Sequence, residues 1–339
     1  MQLAAKWLPK SGILFLVLSS FIACSSNLPQ KTLVSVPKTS TSVEEKNAEV
    51  LKYEALPSLP VTLLDHLGNK VTVESVERII PLEGSIAEIV FALGLGDKVV
   101  ATDLSATWPV EADQLPQIGY QRALASEPIA AFSPTVLIGT DIAGPPKTIA
   151  DLKRLGYALV IVPSEATAEG PPQKIRAVAR ALGVPGRGEK LAGQLEEVIA
   201  ANTQKLNAAS PIVAALYIRG KGTQLVLGRN SATHWLIEAA GGRNVADILD
   251  LDEYTPITAE ALLSANPDVI LVPSAGLESV GGIDGLLGVG GISETSAGIN
   301  KAILSYDDQL LLGNGPRSGA LLEQLTTDLL AVSRNVDER

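Results

Sequence analysis

Six tyrosines occur in 339 residues, and two of them share a Tyr-x-Arg spacing. Tyr120 lies in "IGYQRALASE", directly after Gly119 in a polar stretch, with Arg122 two positions on. Tyr217 closes the apolar run of "AALYIRGKG" and is followed by Arg219. A phenolate is a hard, anionic oxygen donor, and its natural match is a hard Lewis acid such as ferric iron. Free tyrosine titrates only near pH ~10, so ligation at neutral pH needs assistance. A guanidinium two residues away supplies it by favouring the charged form. Gly119 removes a side chain where a flat ligand has to approach. The competing readings are a loop-closing hydroxyl for Tyr120 and a strand-edge tyrosine packed under a loop for Tyr217.

From Val61 the chain alternates short β-branched runs with helical patterns. "VTLLDHLGNKVTV" reads as a hairpin turning at Gly68–Asn69; "RIIPL", "KVVATD", "TVLIGT" and "ALVIVP" read as strands. Between them "SIAEIVFALGLG", "PIAAF" and "KTIADLKRLG" read as helices. Strands alternating with helices imply βαβ units on a parallel sheet. The pattern then returns. "GSIAEIVFALGLGDKVV" aligns with "NSATHWLIEAAGGRNVA", Phe91 meeting Ile237 and Glu88 meeting His234. "SEPIAAFSPTVLI" aligns with "AEALLSANPDVIL", Glu127 meeting Glu260. A period this long is a domain duplication rather than a solenoid. Tyr254 in "DEYTPIT" precedes Glu260 roughly as Tyr120 precedes Glu127, which makes it a third candidate for the same cleft. The fold expected is α/β: two lobes with central, mostly parallel sheets, 59–168 and 208–339. The helical segment 169–207 joins them, interrupted once at "GVPGRG", its long second helix running from about Glu189 to Leu206.

The N-terminus carries Lys6, Lys10 and the apolar "GILFLVLSSFIA", too short to span a bilayer, so residues 1–23 read as an export signal. Cys24 in "FIAC", the single cysteine, stands where a lipoprotein signal peptidase cleaves; the alternative is an ordinary secretory signal. Residues 24–58, rich in Ser, Thr, Lys and Pro, read as a flexible tether. The formal charge of −10 becomes −12 once a signal with two lysines and no acid is removed. That acidity argues against nucleic acid as a partner.

Several phrases taken together resemble the substrate-binding proteins of bacterial haem ABC importers, the HmuT type, over about Val61 to Leu330. They are "RIIPLEGSIAEIVFALGLGDKVVATDLSATWP", "LPQIGYQRALASE", "GPP", "EAAGGRNV", "YTPITAEALLSANPDVILV" and "LLLGNGPR". That group belongs to a helical-backbone class (class III of the periplasmic binding proteins) that also binds cobalamin and ferric siderophores. The resemblance implies that Tyr120 ligates ferric haem, the transported ligand, and that Tyr217, with Arg219, is offered from the second lobe. It implies that Glu127 and Glu260 contact the two permease subunits of an ABC transporter with its ATPase subunits. Pro128 departs from the glycine more common there and fits the first helical position. Membrane attachment would come from a lipid on Cys24, placing the protein in the periplasm or cell envelope.

His66, near the hairpin turn, reads as solvated. His234 reads as an iron ligand or propionate partner only secondarily, and two isolated histidines do not make a zinc site. No P-loop, G-x-S-x-G elbow or H-E-x-x-H motif is present, so no enzyme class is indicated. The alternatives left open are a cobalamin or ferric-siderophore binder, a haem-degrading or haem-storing enzyme, and a lipoprotein scaffold without ligand.

Overall fold

The computed structural model describes residues 56–207 and 209–337, all within one compact unit. The export signal, Cys24 and the tether up to residue 55 lie outside the described residues. At the start of the described chain the Ser58 amide already donates to Gly183 O. No helix among the described residues is long and apolar enough to cross a membrane.

The hairpin expected at the start is present: β1 (Val61–Leu64) pairs antiparallel with β2 (Lys70–Val73). Asp65 ties its turn by accepting from the amides of Leu67 and Asn69. His66 is exposed there, and only its backbone is engaged, donating to Ile161 O. The first lobe is a parallel sheet of β3 (Ile79–Pro81), β4 (Val136–Gly139) and β5 (Leu159–Ile161), in that order. All three strands are buried throughout, which is why they read as apolar runs without alternation. "KVVATD" contributes isolated parallel bridges at Val99 and Thr102 rather than a full strand.

The second lobe is a mixed sheet of β6 (Ile212–Arg219), β7 (Thr223–Val226), β8 (Arg243–Asn244), β9 (Thr255–Pro256), β10 (Val269–Pro273) and β11 (Ile303–Tyr306). β8, β6, β10 and β11 are parallel neighbours, as the duplication requires. β7 and β9 add an antiparallel extension with no counterpart among the named strands of the first lobe.

The connector is two helices packed on one another, Gly170–Ala181 and Pro185–Asn202. The second starts earlier and stops earlier than its sequence suggests. Pro185 takes the first helical turn, where a missing N–H costs nothing, and Thr203 is already extended.

One segment ties the lobes. Gln309, buried in the helix Asp308–Leu312, accepts from the amides of Thr107 and Trp108 at 2.8 Å each. Its Nε2 donates to Gly84 O (2.9 Å), Glu88 Oε2 (3.1 Å) and Trp108 O (3.1 Å). Glu88 also receives the amide and the guanidinium of Arg317, both at 3.0 Å. Each buried polar group left without a partner costs about 1–3 kcal/mol. Gln309→Ala is therefore expected to lower the unfolding free energy by about 2–4 kcal/mol, read by urea denaturation. A loss below ~1 kcal/mol would mean that water takes over these bonds.

Candidate functional site

Tyr120 is 39% exposed, on a turn that runs from β3's sheet toward the helix Ser126–Ala131. Gly119 has φ +101°, a region that excludes most side chains, while a Cβ there would meet nothing closer than Ala123 O at 4.0 Å. The glycine is thus required by backbone angle rather than by lack of room. Three bonds hold the turn. Leu104 N donates to Gly119 O (3.0 Å), Ala123 N to Tyr120 O (2.7 Å), and Gln121 N to Asp103 Oδ2 (3.2 Å).

On the opposite wall, residues i and i+2 of a strand share a face. Leu216 and Ile218 of β6 are buried in the core, so Tyr217 and Arg219 turn to the other side, half-buried. Arg219 stacks on Tyr217, its Cζ 4.5 Å from the ring centroid, and is paired with Asp308 Oδ2. Tyr254 comes from the loop before β9, which is laced to the turn leading into the helix Ala232–Ala239 by Asn230 N to Asp252 O (3.0 Å) and Asn230 Nδ2 to Glu253 (2.9 Å). The rings of Tyr217 and Tyr254 lie 6.5 Å apart at 39°.

These groups line one cleft of about 1030 Å³ with walls from both lobes. Tyr120, Arg122, Tyr217, Arg219 and Tyr254 all contribute to it. Burial pushes the Tyr217 phenol above its ordinary value, opposed first by Arg219. Burial raises Tyr254 as well, opposed first by Arg122, though at 44% exposure solvent tempers the effect. Arg122 therefore acts across the cleft on phenols of the other lobe, a reach that its place two residues after Tyr120 did not suggest. The two tryptophans of the body stay out. Arg317 stacks on Trp108 at 4.8 Å, and buried Trp235 donates to Asn314 at 3.0 Å; neither lines the cleft.

The cleft floor holds a set of side chains not singled out from sequence. Lys174, 1% exposed, donates to Ser85 Oγ and Gly313 O, both at 3.2 Å, and lies 3.9 Å from Glu83. Burial pushes its ammonium down, against Glu83, Glu88 and Asp141. Glu83 in turn accepts from Ser85 (2.7 Å) and Thr140 (2.6 Å). One signal was available in the sequence: Lys174 interrupts the apolar stripe formed by Ile175, Val178 and Ala181 on its helix.

His234 does not reach the cleft. Both lobes' matching helices end at a left-handed glycine, Gly94 and Gly241, and the second helix is one residue shorter. Glu88 is thereby equivalent to Trp235, not His234, and both engage the 309–317 segment. His234 Nε2 instead faces Glu238 at 3.5 Å and Asp247 at 4.0 Å. Asn244 Oδ1 accepts from Ala246 N, so its amide group faces His234 Nδ1 as a donor. That fixes the proton on Nε2, pointing at the carboxylates, where a metal would need the lone pair.

Glu127 and Glu260 are each the second residue of their helix, Ser126–Ala131 and Ala259–Ala265, and both are exposed. Pro128 stands at the third helical position rather than the first; its absent N–H is still one of the four that a helix start leaves unpaired.

The family model of the periplasmic binding proteins matches residues 79–310. The solved structure of the periplasmic heme-binding protein RhuT from Roseiflexus sp. RS-1, apo form, is 46% identical with a TM-score of 0.72. The match covers 76% of this chain and 99% of that one. The structure of the heme-binding protein HmuT is 34% identical with a TM-score of 0.76, over 81% of this chain and 92% of that one. A curated relative, the vitamin B12-binding protein of Vibrio parahaemolyticus, is 26% identical over 58% of this chain and 70% of its own length. With a cleft walled by both lobes and a family match across both, the chain belongs to the periplasmic binding protein family.

Proposed function

We propose that this protein captures ferric haem in the interlobe cleft by tyrosinate ligation and delivers it to an ABC transporter of the inner membrane. The observation that carries this reading is the convergence of three phenols and two guanidiniums, from both lobes, on one cleft without tryptophan. Tyr120 is the principal iron ligand, Tyr217 the one offered from the facing lobe, and Tyr254 the third. Arg122 and Arg219 favour the phenolate state or pair with the propionates. The cleft, at about 1030 Å³, is just larger than the roughly 300–1,000 Å³ typical of small-molecule sites, which leaves room for a macrocycle. Delivery involves a permease dimer and its ATPase subunits, met through Glu127 and Glu260, with the receptor tethered in the envelope by a lipid on Cys24. The role is capture and transfer, not catalysis.

A second reading, cobalamin capture, is favoured by the named ligand of the vitamin B12-binding relative. It is disfavoured by the cleft's lack of tryptophan, which leaves only phenols to face a corrin. Titration of the purified protein with haemin, followed optically, separates the two. A high-spin ferric charge-transfer band is the expected result. A silent haemin titration together with saturable cobalamin binding would replace this reading by the second.

A further inference from the structure

Three buried acids and two bases gather beneath the start of the helix Gly84–Ala92. Glu83 has Lys174 at 3.9 Å and Glu88 has Arg317 at 3.0 Å. The third acid, Asp103, is 0% exposed and has no basic side chain as partner among the described residues. Two of its three side-chain bonds come from Ser105 and the third from the tyrosine turn. Oδ1 accepts from Ser105 Oγ (2.9 Å), and that hydroxyl accepts from Gly84 N (2.8 Å). Oδ2 accepts from the amides of Ser105 (3.1 Å) and Gln121 (3.2 Å), the second lying between Tyr120 and Arg122. One carboxylate thereby couples the helix start to the turn that carries Tyr120.

We propose that Asp103 is the positioning residue of the Tyr120–Arg122 turn: its anion holds the turn for ligand capture, and protonation loosens it. The proposal rests on the reading of Tyr120 as a ligand-contacting residue. Every donor that reaches Asp103 is an N–H or O–H, so all of them favour the anion. A protonated carboxyl has to turn one oxygen into a donor, and no acceptor is arranged to receive it except the Ser105 hydroxyl. Burial is the opposing force. It raises Asp103 from 3.8 to about 7, against the bonds from Ser105 and Gln121, with the Glu83 charge adding to the rise. Glu83 is the titratable group that faces it, and Lys174 stands behind Glu83.

The signs of two effects differ. Asp103 has a folded-state value above its unfolded one, so its contribution to stability is full below pH 3.8 and lost as pH rises through about 7. Turn order runs the other way, gained as the anion forms. A purely structural acid would produce only the first trend.

The test uses the purified protein without ligand, then with haemin. The Gln121 amide resonance is expected to titrate with a midpoint near pH 7 in the wild type and to stay flat in Asp103→Asn. Haemin affinity in the wild type should fall more steeply below that pH, by up to about tenfold per unit beyond the loss due to the phenol itself. In Asp103→Asn the extra slope should vanish. Ser105→Ala keeps the acid but removes a bond that favours the anion, so its midpoint should move upward, which keeps the test open should Asp103→Asn fail to fold. A Gln121 amide that does not titrate, or a midpoint unmoved in Ser105→Ala, overturns the proposal. If haemin does not bind at all, the ligand reading fails, while the ligand-free titration still decides the role of Asp103.

Discussion

Tyr120→Ala is expected to weaken ferric-haem binding by about 100-fold or more, the equivalent of roughly 2.7 kcal/mol, with no loss of folding. The side chain is 39% exposed on a turn whose shape is set by Gly119 and by backbone bonds from Leu104, Ala123 and Gln121, none of which needs the phenol. Unfolding curves should therefore overlay those of the wild type, while the charge-transfer band of the complex is lost. Tyr217→Ala should shift the spectrum and leave most of the affinity, because Tyr254 stands 6.5 Å away on the same wall. If Tyr217→Ala abolishes binding and Tyr120→Ala does not, the principal ligand belongs to the second lobe.

The double change Glu127→Ala with Glu260→Ala is expected to abolish haem uptake and leave haem affinity unchanged. Both glutamates are exposed at the second position of corresponding helices, one per lobe, and neither lines the cleft. Two separated anionic contacts fix the rotation of a receptor over a two-subunit permease; one contact cannot. Each rim contact is worth about 1 kcal/mol or less, so single substitutions should have small effects. A capping role would give a different result. Thr258 already caps the second helix through Ala261 N, so loss of Glu260 should cost that helix only a few tenths of a kcal/mol through the macrodipole. The check is haem transport into vesicles carrying the cognate permease, beside a haemin titration. Undiminished transport by the double variant would remove the docking role and leave both residues only to complement their helix dipoles.

The sequence alone determined the class of fold. Fully buried strands such as Ile79–Pro81 must read as unbroken apolar runs, and amphipathic helices must carry their 3.6-residue period, so the alternation of elements was legible. The duplication was legible for the same reason, since two lobes of like design repeat like patterns. Tyr120-x-Arg122 stood out because it falls in a polar stretch outside either period, whereas Tyr217 and Arg219 alternate with the buried Leu216 and Ile218 of β6. What the sequence left open follows from contacts between residues far apart. The alignment that paired Glu88 with His234 slipped by one position, because only the left-handed turns at Gly94 and Gly241 fix the register of the two helices. The antiparallel strand β9 is two residues long, too short to show a period. The reach of Arg122 to Tyr254, the stacking of Arg219 on Tyr217 and the support of Asp103 under residue 121 each join segments separated by a turn, a strand face or a lobe boundary. Spacing along a chain encodes which face a side chain takes, whereas the partner it meets there is fixed only when the elements pack.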